Sequence, residues 1–269
     1  GGNAVWNTEM LKANAAIVEP IYQCDIDWDD ELDRVQIHKE DEGPLLIWQE
    51  PVPGRRYGIG GDVALGVDDG DYSTLHVLDG TTGRCVASYR QRLHPEDFAD
   101  VANALGRWYN RALLGIERNT HGESTVKRLL HNLKYPNLYF HTKENARRTK
   151  SRNGGWLTTN RSKTLMIDTL TTSLRSRQIY IHCLQTLTEL IGYQRSVSRT
   201  GTESFSGLPH DDHVMSLGIA NMMLEEVGRP AAGSTEAVLH NGATFDLFES
   251  MMESAGLAID HDNNVGFFA

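Results

Sequence analysis

The chain has 269 residues, 39% hydrophobic and 23% charged, which is ordinary globular composition and enough length to bury a full core. No apolar stretch reaches the length of a bilayer-spanning helix, so no membrane partner is expected, and Cys24, Cys85 and Cys183 are too few and too widely spaced for a disulfide framework or a zinc site. The net charge of −10 by itself counts against a nucleic-acid partner, but Arg107 to Lys163 holds thirteen Lys or Arg and three acids, while Glu19 to Glu50 holds eleven acids against Arg34 and Lys39. A positive field in mid-chain attracts phosphates whatever the total charge, and a reducing cytoplasm is the expected setting.

Residues 1–50 contain Trp6, Ile17, Ile21 and Tyr22 ahead of the acidic run and read as a linker or remnant packing segment. Residues 51–228 read as the main domain. Within it, Tyr57 to Asp62, Ser73 to Leu78 and Arg84 to Arg92 are three successive strands, the last two joined by the turn Asp79-Gly80-Thr81-Thr82-Gly83. Pro95 starts a helix in which Phe98, Val101, Ala102, Leu105 and Trp108 recur at helical spacing through Arg111. Ala112 to Ile116 follows as a strand, Gly122 to Leu133 as a helix and Leu138 to His141 as a short strand. Asn160 to Arg177 is a helix capped by Asn160, with Leu165, Ile167, Leu170 and Leu174 turned inward.

Between these last elements, Lys143 to Gly155 reads as a basic surface loop, and its Lys143, Arg147, Arg148, Lys150 and Arg152 are candidate phosphate contacts. Ser196 to Pro209 reads as a loop able to fold over a site as a lid. A helix begins near Asp211 and breaks at Gly228-Arg229-Pro230. Residues 229–269 read as a C-terminal linker and a short helix or tail, with Thr244 to Met252 amphipathic. The order of elements predicts an α/β fold with a central mixed sheet flanked by helices.

Acidic residues stand at three element ends. Asp62 closes the run Tyr57-Gly58-Ile59-Gly60-Gly61, Glu117 closes Ala112-Leu113-Leu114-Gly115-Ile116, and Asp211-Asp212 open the last apolar helix. Alone, each has an ordinary explanation in turn chemistry or the helix macrodipole. Together they form a set of hard oxygen donors suited to a divalent cation. His210 and His213 flank the pair but receive no catalytic role, because a flanking histidine is more often a hydrogen-bonded neighbour.

Five stretches stand in order along the chain: Trp48-Gln49-Glu50-Pro51 leading to Asp62, Gly70-Asp71-Tyr72-Ser73, Gly115-Ile116-Glu117-Arg118-Asn119 with Gly122, Gly155-Trp156-Leu157-Thr158, and His210-Asp211-Asp212. On these the chain, from about Gly43 to Glu226, resembles the C-terminal nuclease domain of the large terminase subunit of tailed bacteriophages. The resemblance implies an RNase H-like fold and an endonuclease that uses two Mg²⁺ or Mn²⁺ ions to cut concatemeric viral DNA during packaging. On the same basis Asp62, Glu117, Asp211 and Asp212 are the catalytic metal ligands, with Asp71 a further ligand. The implied partners are double-stranded DNA and, in the full-length protein, its own ATPase domain, the portal and the small terminase subunit, in the host cytoplasm. The chain lacks a G-x-x-x-x-G-K-S/T phosphate loop, so it is expected to be a domain excised from a longer protein.

Two other readings follow from the same residues. An RNase H-like transposase, integrase or resolvase lacks support from the Trp48 to Asp62 and Gly155 to Thr158 stretches. A non-catalytic DNA-clamping or motor-docking module gains nothing from acids concentrated beside phosphates.

Overall fold

The computed structural model describes residues 3–68, 70–141, 153–198, 201, 203–207, 210–228, 257–259 and 265–267. A two-residue strand, β1 (Asn3–Ala4), precedes helix α1 (Thr8–Asn14), where the Asn7 side chain accepts the Met10 amide as an N-cap. Strands β2 (Tyr22–Asp29), β3 (Arg34–Lys39) and β4 (Leu45–Ile47) follow. They arise from the segment expected to be a linker or packing remnant, and β4 pairs with β7 (Cys85–Gln91), so the sheet begins well before Pro51. Alternation in β2 buries Cys24 and Ile26 and leaves Asp25 and Asp27 in solvent, which is how so acidic a segment enters a sheet.

Strands β5 (Tyr57–Asp62) and β6 (Ser73–Asp79) complete the meander with β7. Helix α2 (Pro95–Trp108) leads to β8 (Leu113–Ile116), and helix α3 (Gly122–Lys127) widens into a π-helical turn over Arg128–Asn132. Helices α4 (Asn160–Arg175) and α5 (Leu184–Gly192), the hairpin strands β9 (Gln194–Val197) and β10 (Glu203–Ser206), and helix α6 (Asp212–Val227) complete the main body. Beyond it β11 (Leu257–Ile259) and β12 (Val265–Phe267) pair antiparallel. The seven-stranded sheet has the order β3-β2-β4-β7-β6-β5-β8, and only β5 and β8 run parallel.

Several local expectations change. The N-cap of α4 is Thr159, which forms a reciprocal capping box with Ser162, and Leu165 is 54% exposed while Ile167, Leu170 and Leu174 are buried. Leu138 and Phe140 form only isolated bridges, to Leu114 and Gly155, instead of a strand. The expected lid from Ser196 is the β9–β10 hairpin, and β9 also pairs with β1. Lys143, Arg147, Arg148, Lys150 and Arg152, and the expected helix from Thr244 to Met252, lie outside the described residues.

Helix α2 covers one face of the sheet, where Tyr57 and Ile59 join Phe98, Ala102 and Leu105 in a buried cluster. On the other face α6 lies directly on β5. Alternate residues of a strand share a face, and Gly58 and Gly60 present theirs to α6. A Cβ at Gly60 would stand 2.1 Å from both the Ala220 nitrogen and the Ser216 oxygen, and one at Gly58 would stand 2.9 Å from Met223 Cβ. The helix thus packs backbone to backbone on the strand, and Asp62 is the next residue in this register. A Gly60→Ala substitution should therefore force α6 off the sheet. The expected loss is about 3 kcal/mol of unfolding free energy or more, read from urea melts.

Candidate metal centre

Strand pairing brings the first two acids together. Because β5 and β8 are parallel, with Gly61 beside Ile116, their C-terminal ends coincide, and the Glu117 amide donates to the Gly61 carbonyl at 2.8 Å. Helix α6 runs antiparallel to β5, with Met223 over Gly58 and Ser216 over Gly60, so its N-terminus arrives at Asp62. A cleft of about 380 Å³ results, lined by Asp62, Asp71, Glu117, Lys163, Asp211 and Asp212 among others. All five acids singled out in the sequence meet there.

Burial and mutual repulsion act on the acids of this cleft. The Asp62 carboxyl is pushed well above the usual carboxylate range, first by burial, then by a hydrogen bond with Glu117 and by repulsion from Glu117, Asp212 and Asp211. Asp212 is buried and raised to about 6, mainly by burial, although its Oδ2 accepts the Tyr72 amide at 3.1 Å. Asp211 is half-buried and faces Lys163 Nζ at 3.5 Å. Its side chain makes no capping bond to α6. Ligand atoms of Asp71, His210 and Asp212 lie within 4.8 Å of one another, and His210 Nδ1 is 3.3 Å from Asp71 Oδ1.

The wall behind Asp212 is a buried polar ladder. Thr74 donates to the Asp212 carbonyl at 2.8 Å, and His76 spans Ser216 Oγ and Thr186 Oγ1, each at 2.8 Å. From α5, Glu189 Oε2 accepts the His213 amide at 2.7 Å. An acceptor from a neighbouring helix thus satisfies one of the free amides in the first turn of α6, and the Asp211 side chain is left for the cleft. Neither Glu189 nor the ladder was found in the sequence. The nearest sequence signal is the set of polar residues at alternate positions of β6, Thr74 and His76, in a strand buried throughout. His210, given no catalytic role from the sequence, lies against Asp71 at the cleft's edge.

This geometry agrees with what the chain resembles. A family model described as the terminase RNaseH-like domain matches residues 59–224. The chain belongs to this family. No curated protein matches it significantly. Among solved structures, the large terminase nuclease of thermophilic phage G20c with bound magnesium superposes with a TM-score of 0.59 at 20% identity, covering 82% of this chain and 97% of that one. The same nuclease with bound cobalt gives a TM-score of 0.58 at 20% identity over the same shares. The large terminase nuclease domain of Thermus phage P74-26 gives 0.54 at 21% identity, covering 81% of this chain and 94% of that one. At such identities the likeness establishes the fold, which is RNase H-like.

The polar ladder makes this terminase domain sensitive to acid. Burial holds His76 far below its ordinary value of 6.5, at about 3. Between those two values the unfolded chain binds a proton that the folded chain refuses, so the contribution of His76 to stability falls as pH drops below 6.5. Relative to a His76→Gln variant, the wild type should lose up to about 1.4 kcal/mol per pH unit in that window, measured by urea melts at several pH values. Glu189, raised to about 7 mainly by burial, has the opposite sign but is present in both proteins and cancels in the difference.

Proposed function

We propose that this chain is a divalent-metal-dependent DNA endonuclease that cuts concatemeric viral DNA during genome packaging. The observation that supports this reading is the convergence of Asp62, Glu117, Asp71, Asp211 and Asp212 in one cleft of an RNase H-like sheet. The donor set is five carboxylates and one imidazole, hard enough for Mg²⁺ or Mn²⁺. One nuclease of this fold, that of phage G20c, crystallises with magnesium, cobalt or zinc.

Two ions bound there would supply polarisation of the scissile phosphate and activation of a water for in-line attack. Asp62, whose carboxyl is influenced by Glu117, Asp212 and Asp211, would hold them together with those acids. Glu117 and Asp212 complete the set, Asp211 assists from the end turned to Lys163, and Asp71 with His210 closes the outer side. The products carry 5′-phosphate and 3′-hydroxyl ends. The expected partners are double-stranded DNA and, in a longer protein, an ATPase domain, the portal and the small terminase subunit, in the host cytoplasm. Residues 51–228 are proposed as the nuclease unit, with β2, β3 and β4 extending its sheet and residues 229–269 a tail. Among the described residues no helix is long and apolar enough to cross a membrane.

Replacing Asp62 with Asn should abolish cleavage of linear and supercoiled DNA by about a thousandfold or more, with the urea midpoint retained. Near-normal turnover by the folded variant would remove Asp62 from the mechanism. Asp211→Ala and Asp212→Ala should differ, because adjacent helix-start residues point about 100° apart and only Asp212 is buried against Tyr72. Single-turnover cleavage should fall further for Asp212→Ala. Equal, small losses would make both residues helix-start chemistry alone.

A further inference from the structure

Beside the acid cleft, two arginines share one aromatic ring. Arg90 and Arg92 stand at alternate positions where β7 ends, so they project to the same side. Their guanidinium carbons lie 3.5 Å and 4.1 Å from the centre of the Tyr72 ring, which also meets His210 edge-on at 6.2 Å. Arg92 Nε donates to the Gly70 carbonyl at 3.0 Å, which leaves its two terminal nitrogens for another acceptor. Arg90 Nε is buried without a hydrogen-bond partner.

Arg55, Arg128 and Arg195 each pair with a carboxylate, but no ion pair within 4.0 Å involves Arg90 or Arg92 among the described residues. The aromatic ring offsets part of the cost of holding two guanidinium groups with no carboxylate in ion-pair contact, Glu189 feeling Arg90 only at longer range, and an anion would offset more. The two-pronged guanidinium matches a phosphate.

The location selects which phosphate. Gly70 and Asp71 precede Tyr72 and line the acid cleft, and the Tyr72 amide is bonded to Asp212. A DNA strand entering a cleft of five carboxylates is repelled along its whole approach, so it needs positive charge immediately outside the cleft. Lys163 is already turned to Asp211 and the Phe205 carbonyl. Arg90 also lines a second cleft of about 530 Å³, whose walls include Glu19 and Glu42, and those acids disfavour a further phosphate beyond the Tyr72 edge.

We infer that Arg90 and Arg92, stacked on Tyr72, bind a backbone phosphate of the DNA next to the one that is cut. The inference rests on the nuclease reading above. The two guanidinium groups neutralise that phosphate and hold the strand in register with the carboxylates, and they read no bases.

The test is equilibrium binding of the full chain to a duplex oligonucleotide, in Ca²⁺ to suppress cleavage, by fluorescence anisotropy across a salt series. Arg90→Gln/Arg92→Gln together should weaken binding at least tenfold for every sequence, with the slope of log affinity against log salt reduced by about one. Mn²⁺ affinity by calorimetry should match the wild type. Should the double variant fail to fold, Arg92→Gln and Arg92→Lys serve instead, with Lys keeping the salt slope and Gln lowering it.

Unchanged DNA affinity and slope in a folded variant, while the wild type binds and cuts, would overturn the phosphate site and leave the nuclease reading intact. Joint loss of Mn²⁺ affinity and fold in both single variants would also overturn it, because the arginines would then serve only to brace the Gly70–Tyr72 segment. A wild type that neither binds nor cuts DNA would overturn both.

Discussion

The backbone contact between α6 and the glycine face of β5 is the constraint from which the rest of the site follows. A helix that packs on a sheet through large side chains rides well above it, and its end can shift by a turn without severe penalty. Here Gly58 and Gly60 bring the helix backbone to the strand, and Gly218 faces Met166 of α4 on another side of the helix. Translation of α6 along β5 would drive backbone atoms together, so the distance of Asp212 from Asp62 is set by main-chain sterics. The parallel pairing of β8 with β5 fixes Glu117 in the same way, through ladder hydrogen bonds. Three acids from distant parts of the chain are thus held by the least adjustable contacts a protein has.

That rigidity is what keeps the acids together against their repulsion. Carboxylates brought this close push one another toward the protonated form, and a flexible site would relieve the repulsion by moving apart. The polar ladder of Thr74, His76, Thr186 and Ser216 prevents this on the α6 side, because each member is buried and hydrogen-bonded. Glu189 does the same for the α6 amides. Asp71 and His210, nearer to solvent, are held by the bond between them and by the edge-on contact of His210 with Tyr72. The site therefore has a stiff inner wall and a softer outer one.

Charge is arranged on the same plan at larger scale. The acids of β2 and of the turn to β3 face solvent on the far edge of the sheet, remote in strand order from β5 and β8. Beside the cleft, by contrast, Arg90 and Arg92 lie over Tyr72. The overall charge of −10 thus says little about what approaches the cleft.

Much of this was legible in the chain itself. The α/β class, the meander from Tyr57, the helix from Pro95 and the helix at Asp211 all follow from hydrophobic period and punctuation, which are local properties. Asp62, Glu117, Asp211 and Asp212 were legible because each stands where an apolar run starts or stops, and carboxylates at element ends are visible without knowing the fold; Asp71 came only with the family resemblance. Strands β2 to β4 were not, because their acidic outward positions mask the short buried alternation of Cys24 and Ile26. The cap of α4 and the outward turn of Leu165 depended on one residue of phase, which periodicity does not resolve.

The pairing of Arg90 and Arg92 on Tyr72, the reach of Glu189 to α6, and the closeness of His210 to Asp71 were decided only by the tertiary structure. They join residues separated by 24 or 139 positions in two of these cases. Sequence determines which groups a chain owns and where its elements end. Which of those groups meet depends on helix and strand packing, and here on two missing Cβ atoms that let one helix touch the sheet.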